Sequence, residues 1–233
     1  MLKKLSKENM GTSNLDWLES RFHFSFAEYR NPNNLNFGVL RVLNDDIIHP
    51  KNGFDMHPHR DMEIISYVVE GELTHRDSIG NSETLGCHNV QYMSAGTGVT
   101  HSEYNLSHIN DLRLLQIWIL PPEKNLVPIY GSYKYQENEF NNKLLNIVSS
   151  KHGNSKIQIN QDINIYASKL DAKNNLKFDM LNHRQVYFVQ IEGTSDVNGI
   201  KLNDGDALEI INEVNITISA LTKSHILFIE MKK

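Results

Sequence analysis

The sequence predicts an all-β protein built as two antiparallel β-barrels in tandem. Three observations support this fold class. Short apolar or alternating runs are separated by turn residues, the first half lacks an apolar stripe with helical period, and a proline-containing polar stretch divides two such sets of runs. A length of 233 residues fits either one large all-β domain or two smaller ones.

The first set of runs extends from Gly38 to Leu120. The turn residues between the runs include Gly53, Gly71, Gly80-Asn81 and the stretch Gly96–Gly98. This spacing of apolar runs and turn residues is typical of an antiparallel sandwich or barrel. The strand-like runs are Phe37–Val42, Ile64–Val69, Val90–Met93 and Leu112–Leu120.

The stretch Leu120–Asn142 has a different character and is interpreted as a linker, since it holds Pro121-Pro122, Pro128 and then polar residues. Strand-like runs resume after it. They are Leu144–Val148, Ile157–Ile159, Ile163–Ala167, Val186–Ile191, Ile200–Leu202, Ala207–Ile211, Ile216–Ile218 and Ile226–Ile229.

A weak internal repeat supports two domains. The segment from Tyr67 to Gly71, followed by a turn at Gly80-Asn81, resembles the segment from Tyr187 to Gly193, followed by a turn at Asn198-Gly199. We therefore predict one barrel over residues 1–135 and a second over residues 136–233.

Composition argues against several classes of protein. The formal charge is −5, with 23 basic and 28 acidic residues, so there is no positive excess for binding nucleic acid. The single cysteine, Cys87, has no internal partner for a disulfide, and the polar N-terminus shows no signal peptide. No segment is apolar enough to span a bilayer. These features predict a cytoplasmic protein without a membrane segment.

Two pairs of potential metal ligands lie two residues apart, His57 with His59 and His101 with Glu103. Neighbours at this spacing on a strand share one face, so each pair can hold a single ion. Either pattern alone arises easily by chance, but both lie beside strand-like runs of the first half. Three imidazoles and a carboxylate, without a thiolate, suit a divalent transition metal rather than structural zinc or an iron–sulfur cluster.

Glu63 is an alternative ligand, because it follows His59 by four residues and by the same strand parity shares the face of both histidines. Parity does not separate Glu63 from Glu103. Glu63 can also be a carboxylate that orients a ligand histidine through a hydrogen bond.

Other chemically active residues have simpler interpretations. His75 and Asp77 share a face but precede the turn at Ser78–Asn81, so we expect them to stabilise a hairpin. The isolated histidines of the second half have no ligand-type residue two places away, and we expect that half to be chemically silent. These histidines are His152, His183 and His225.

Three segments resemble the pirin family of the cupin superfamily. They are GFDMHPHRDME at Gly53–Glu63, YVVEGELTHRDSIGN at Tyr67–Asn81 and MSAGTGVTHSE at Met93–Glu103. Segments Arg21–Phe26, Leu40–Asp46 and Leu115–Pro121 add to the resemblance, which is specific over residues 15–135 and general beyond.

The resemblance implies a bicupin, two jelly-roll barrels in tandem, with metal only in the N-terminal barrel. Carried over residue by residue, it implies His57, His59, His101 and Glu103 as ligands, and it thus prefers Glu103 to Glu63. The implied cofactor is one divalent transition metal ion, Fe(II) first, with Mn, Ni, Cu, Co or Zn as alternatives.

Bacterial relatives with the Arg60–Glu63 version of the motif resemble quercetin 2,3-dioxygenases. In that activity a flavonol binds with its 3-hydroxyl on the metal, Glu103 takes the proton as the catalytic base, and the flavonolate reacts with O₂, opening the heterocycle and releasing CO. The implied partners are thus a flavonol and O₂.

Two other functions stay open at this stage. One is a non-enzymatic metal- or redox-sensing protein that binds regulatory proteins, as eukaryotic pirins are thought to do. The other is a degenerate cupin whose ion only stabilises the fold.

Overall fold

The structure is a computed structural model that describes all residues, 1–233. Strands make up 59% of it and helix 3%, which confirms the predicted all-β class. None of its helices has the length and the apolar character needed to cross a bilayer.

The part of the chain before residue 136 holds twelve strands and one short 3₁₀ helix, Lys7–Asn9. The strands are β1 (Leu2–Leu5), β2 (Gly11–Leu15), β3 (Leu18–Phe22), β4 (Leu40–Ile48), β5 (Asn52–His59), β6 (Glu63–Glu70), β7 (Glu72–Asp77), β8 (Ser82–Gly86), β9 (Asn89–Ser94), β10 (Val99–Asn105), β11 (Leu112–Ile119) and β12 (Ile129–Lys134).

The remainder begins with the short helix α1 (Glu137–Phe140), which carries a capping box between Gln136 and Glu139. Ten strands follow. They are β13 (Leu145–Ser150), β14 (Ile157–Ile159), β15 (Ile163–Leu170), β16 (Asn175–Asp179), β17 (Arg184–Glu192), β18 (Ser195–Val197), β19 (Ile200–Leu202), β20 (Ala207–Ile211), β21 (Asn215–Ala220) and β22 (Ser224–Lys232).

The chain forms two compact units. The N-terminal unit comprises Gly11–Tyr135 and Ile159–Gln161, and the C-terminal unit comprises Met1–Met10, Gln136–Gln158 and Asp162–Lys233. Residues 1–10, which the sequence assigned to the first barrel, lie in the C-terminal unit because β1 pairs with β20. That only the first barrel binds metal stays a prediction.

The N-terminal unit consists of two antiparallel sheets. The larger has the order β12-β9-β6-β11-β4-β3-β2 and the smaller has the order β5-β10-β7-β8. Central strands such as β6 are buried along almost their whole length, so both of their faces are covered. The apolar core includes Ile48, Val68, Leu73 and Leu114, all nearly inaccessible to solvent.

The C-terminal unit repeats this arrangement with the orders β1-β20-β17-β22-β15-β13-β14 and β16-β21-β18-β19. Its core contains stacked aromatic rings. The centroid of Phe228 lies 5.0 Å from that of Tyr166, 5.1 Å from that of Phe178 and 6.1 Å from that of Phe188.

The interpretation of Leu120–Asn142 as a linker was wrong over part of its length. Ile129–Lys134 form the edge strand β12, which pairs with β9 from Ile129 opposite Ser94 to Lys134 opposite Asn89. An edge strand is paired on one side only, and none of the six residues of β12 is fully buried, so its sequence lacks a strong apolar signal.

Candidate metal centre

Three histidines converge where β5 and β10 pair. His57 lies directly opposite His101 in the antiparallel register, and His59 follows on the same face of β5. The imidazole centroids are 4.5 Å apart for His57 and His101, and 4.8 Å apart for both other pairs. One ring nitrogen of each histidine lies within 4.8 Å of those of the other two.

The ring nitrogens of these histidines are available for a ligand. Nδ1 of His57 lies 2.7 Å from the backbone oxygen of Asp55, to which it donates, so Nε2 keeps its lone pair. Nε2 of His59 and both ring nitrogens of His101 are buried and have no hydrogen-bond partner. Buried polar atoms without partners are rare, and their convergence at one point indicates a binding site.

Burial keeps two of these imidazoles neutral. It lowers the pKa of His59 to about 4, and the neighbouring His101 and His57 add to this shift. Burial likewise lowers the pKa of His101 to about 3, with contributions from His57 and His75. Neutral imidazole is the form that binds metal, so these rings are ready to coordinate an ion near neutral pH.

Glu103 is buried and held by neutral donors. Nε2 of Gln116 donates to its Oε2 over 2.7 Å, while Oγ of Ser66 lies 2.9 Å and Nε2 of Gln91 lies 3.4 Å from its Oε1. Oε2 thus accepts one hydrogen bond in this set and keeps room for a further partner. A carboxylate oxygen of Glu103 and one ring nitrogen each of His101 and His75 lie within 4.8 Å of one another. Glu103 does not form such a group with His57 and His59.

Sequence analysis assigned His75 to a hairpin and missed its proximity to the candidate ligands. Strand β7 pairs with β10 so that His75 lies opposite Glu103, which places the imidazole against the candidate ligands. Its Nδ1 is buried without a partner, its Nε2 lies 3.1 Å from Oδ2 of Asp77, and its ring stacks on Tyr130 at 4.7 Å. Only the register between distant strands creates this proximity, and no local sequence signal carries it.

Asp77 has the role expected for it in the hairpin. Its Oδ1 accepts hydrogen bonds from the backbone N–H of Ile79 and of Asn81, and its Oδ2 accepts one from the side chain of Asn81. These bonds fix the turn between β7 and β8.

Glu63 lies outside the histidine cluster. Its carboxylate accepts hydrogen bonds from the hydroxyl of Tyr92, from the backbone and side chain of Asn160, and from the backbone of Gln161. The parity argument fails because Glu63 and His59 are on different strands, separated by Asp61 with a φ of 49°. None of its hydrogen-bond partners is a histidine, so it does not orient a ligand ring directly.

A cavity of about 170 Å³ opens beside the cluster. Its walls combine aromatic, polar and histidine side chains, and the ring of Trp118 meets that of His59 edge-on at 4.8 Å. The lining residues are Phe26, Asn44, Asp46, Phe54, His57, His59, His101, Glu103, Gln116 and Trp118.

A β-bulge explains why Phe54 lines this cavity. The register between β5 and β10 shifts between His101 and Glu103, so that Glu103 lies opposite Phe54 instead of Asp55. An extra residue in one strand reverses which side chains face inward beyond it. Phe54 therefore faces the cavity although it is three residues before His57.

The donor set fits a divalent transition metal ion. Three neutral imidazoles with free nitrogens and a nearby carboxylate are borderline to hard donors, and a site with open positions can accept a small molecule. Both groups of ligand-type side chains in the structure belong to the N-terminal unit. The chain thus has a cluster of histidines and a glutamate capable of binding a metal ion.

Comparisons with known proteins agree with this arrangement. The family model described as Pirin matches residues 4–119, and the one described as Quercetinase C-terminal cupin domain matches residues 146–231. The chain is 38% identical over 221 residues to a quercetin 2,3-dioxygenase of Escherichia coli K12, covering 95% of this chain and 94% of that protein. It is 37% identical over 231 residues to a pirin-like protein of Caulobacter vibrioides, covering 99% of each chain.

A solved structure is also similar over the full length. The bacterial pirin YhhW of Escherichia coli in complex with nickel(II) superimposes with a TM-score of 0.94 at 36% identity, covering 100% of this chain and 99% of the other. Together with the repeated sheet order, these matches confirm the predicted pair of tandem cupin barrels.

Proposed function

The chain belongs to the pirin family, as its motifs predicted, and from this premise we propose that it is a metal-dependent quercetin 2,3-dioxygenase. In this reaction a flavonol such as quercetin reacts with O₂, its heterocycle opens, and CO is released. The identity to a quercetin 2,3-dioxygenase along almost the whole chain supports the choice of substrate class.

One observation carries the proposal. Three imidazoles with free or unpartnered nitrogens converge at the wall of a cavity that also contains Glu103 and aromatic side chains. A concave site with converging polar groups is where a small substrate is expected to bind. We propose that His57, His59, His101 and Glu103 hold the ion.

We propose Fe(II) as the ion, and nickel is the first alternative because a relative was solved with nickel(II). Mn, Cu, Co and Zn have compatible ligand preferences. When bound, such an ion supplies Lewis-acid polarisation of a substrate oxygen.

The proposed base is Glu103. Gln116 leaves one position of Oε2 free, and the carboxylate can use it either to hold the ion or, when it releases the ion, to take the proton of the flavonol 3-hydroxyl. Ser66 and Gln91 fix the other oxygen, so the carboxylate is oriented before substrate binds.

Aromatic side chains give the cavity its affinity for a flat ring. Phe26, Phe54 and Trp118 line it, and the rings of Phe26 and Trp118 meet edge-on at 5.4 Å. At about 170 Å³ the cavity is smaller than the roughly 300–1,000 Å³ typical of drug-sized ligands, so it encloses one end of a flavonol. A surface depression of about 460 Å³ also has His59 in its lining.

Oxygen uptake tests the proposal. Protein reconstituted separately with Fe(II) and with Ni(II) is mixed with quercetin, and O₂ consumption, quercetin loss and CO release are followed together. We expect equal consumption of O₂ and quercetin. Absence of O₂ consumption with every metal that binds would refute the oxygenase assignment.

Two glutamate variants test the base. Glu103→Gln is expected to lower kcat by about a hundredfold or more, in the range of general-base contributions, with metal content measured in parallel. Glu70→Gln, an identical substitution at an exposed residue at the end of β6, is the matched control and keeps wild-type turnover. Full activity of metal-loaded Glu103→Gln would show that another group takes the proton.

A further inference from the structure

Strand β4 contributes two polar side chains to the cavity wall that the proposed chemistry does not use. Asn44 and Asp46 are two residues apart, so they share the inward face, and both line the cavity of the candidate metal centre. Each is only 3% exposed. Oδ1 of each residue is buried and has no hydrogen-bond partner.

The neighbouring side chains do not satisfy these two oxygens. Gln116 lies directly opposite Asn44 in the register of β4 and β11, but its amide nitrogen donates to Glu103. Asp46 lies opposite the apolar Leu114 on one side and opposite Ser20 on the other, and the hydrogen bond from Ser20 leaves Oδ1 of Asp46 without a partner. A buried oxygen without a donor costs roughly 1–3 kcal/mol, so a partner from outside the chain is expected.

Trp118 adds a donor to the same cavity. Its indole Nε1 is buried and has no acceptor, and its ring lines the cavity together with Phe26. The wall therefore offers two acceptors and one donor among aromatic faces. A ring that carries hydroxyl groups and a carbonyl complements this set, whereas an unsubstituted apolar ring leaves all three atoms unpaired.

The ionisation of Asp46 is consistent with a binding role. Burial raises the pKa of Asp46 to about 7, and the negative charges of Asp45 and Glu103 add to this shift. A hydrogen bond from Ser20 opposes the shift without cancelling it. A titratable group perturbed in this way inside a cavity is a candidate for a functional site.

We propose that Asn44 and Asp46 form a subsite that recognises hydroxyl groups of an aromatic substrate, their Oδ1 atoms accepting hydrogen bonds from two ring hydroxyls. The inference rests on the proposed function and specifies its substrate class as polyhydroxylated flavonols. It makes both residues determinants of specificity, without a part in the proton transfer at Glu103.

A binding cycle tests the subsite without turnover. Dissociation constants are measured under anaerobic conditions, by quenching of tryptophan fluorescence, for quercetin and for 3-hydroxyflavone. The latter keeps the enol hydroxyl and the carbonyl but lacks the ring hydroxyls. Wild-type, Asn44→Leu and Asp46→Leu proteins are compared at equal metal occupancy.

We expect each leucine variant to bind quercetin about tenfold more weakly and 3-hydroxyflavone with unchanged affinity, since one hydrogen bond in a buried site contributes about 1.4 kcal/mol. Asp46→Asn keeps a carbonyl oxygen and recovers much of the lost affinity. Asp45→Asn is the matched control, since Asp45 lies on the opposite face of β4 and pairs with Arg113 at 2.7 Å.

Equal losses for both ligands, or no loss for either, would overturn the subsite, and water alone would then serve the two oxygens. If a leucine variant does not fold, the wild-type protein still decides, because equal affinity for the two ligands, or no binding of either, refutes the inference. Oxygen uptake separates the two proposals. If O₂ is consumed but the variants do not weaken quercetin binding selectively, only the subsite is rejected. If the variants weaken quercetin binding selectively but no O₂ is consumed, only the dioxygenase activity is rejected.

Discussion

The substitution Gly53→Ala, which adds a single methyl group, should disturb the candidate metal centre through the backbone of Glu103. Gly53 lies on β5 opposite Tyr104, next to Glu103 in the pairing with β10. A Cβ at this position would lie 2.3 Å from the backbone oxygen of Glu103 and 2.6 Å from Cα of Tyr104. These are backbone atoms, so no rotation of a side chain relieves the contact.

The size of the disturbance follows from these distances. Cβ contacts below 3.0 Å essentially do not occur, so the backbone at Glu103 must retreat from 2.3 Å to at least 3.0 Å, a shift of about 0.7 Å. Functional sites require their groups to be held within about 0.5 Å. We therefore expect Gly53→Ala to weaken metal binding by about 10–100-fold and to lower the free energy of unfolding by about 1–3 kcal/mol.

Competition with a chelating indicator measures the metal affinity, and urea unfolding of the metal-free protein measures the stability. Gly131→Ala is the matched control, because Gly131 is also in a strand and a Cβ there meets no atom within 4 Å. Wild-type metal affinity in folded Gly53→Ala would refute the reasoning, since the position of Glu103 would then not matter for the ion. Loss of stability alone would locate the effect in packing.

Three further predictions concern the same unit. Glu63→Gln places an amide against the donors of Asn160 and Gln161, so it should lower the free energy of unfolding by about 2–4 kcal/mol and leave metal affinity unchanged. Weaker metal binding by this variant would indicate that Glu63 is a metal ligand. Because the pKa of Asp46 is raised from 3.8 to about 7 in the folded state, the wild type loses stability as the pH rises from about 4 to about 7. In urea unfolding, metal-free Asp46→Asn should therefore be more stable than the wild type above pH 7 and no more stable near pH 4. A gain in stability that does not depend on pH would contradict this. Metal at a hundredfold excess over Kd should raise the free energy of unfolding of the wild type by about 2.7 kcal/mol, and His101→Ala should lose this gain in thermal unfolding; equal stabilisation of the variant would refute the role of His101.

The fold class and most of the buried strands followed from sequence because their apolar residues form continuous or alternating runs. Three strands were predicted with the bounds that the structure gives, namely Ile157–Ile159, Ile200–Leu202 and Ala207–Ile211. Buried strands of a barrel are rich in apolar residues, and turn residues mark their ends. The strand β12 was missed because it is an edge strand without a fully buried side chain.

The site was harder to predict, because its geometry depends on register between strands. The spacing of the residues predicted His57, His59 and His101 as ligands, and these three converge. It did not distinguish Glu63 from Glu103 as the carboxylate ligand. The turn at Asp61 separates Glu63 from the histidines. Strand pairing places His75 beside Glu103, and one bulge turns Phe54 inward. Neither feature has a local sequence signal.

The interiors of the two barrels differ at corresponding strands. The sheet orders correspond strand by strand, so β16 and β21 of the C-terminal unit take the places of β5 and β10, which carry the histidines. There, Leu176 and Phe178 on β16 and Ile216 and Ile218 on β21 pack into the core.

The central strands differ in the same sense. Ser66 pairs with Gln116 across β6 and β11 in the N-terminal unit, and both hold Glu103, whereas Phe188 pairs with Phe228 across β17 and β22. Stacked rings fill the interior that polar side chains leave open in the other barrel, and their burial contributes stability without demanding hydrogen bonds. The two barrels thus share one topology, and inward polar side chains leave a cavity beside the histidines of the N-terminal barrel, whereas aromatic rings fill the corresponding interior of the C-terminal barrel.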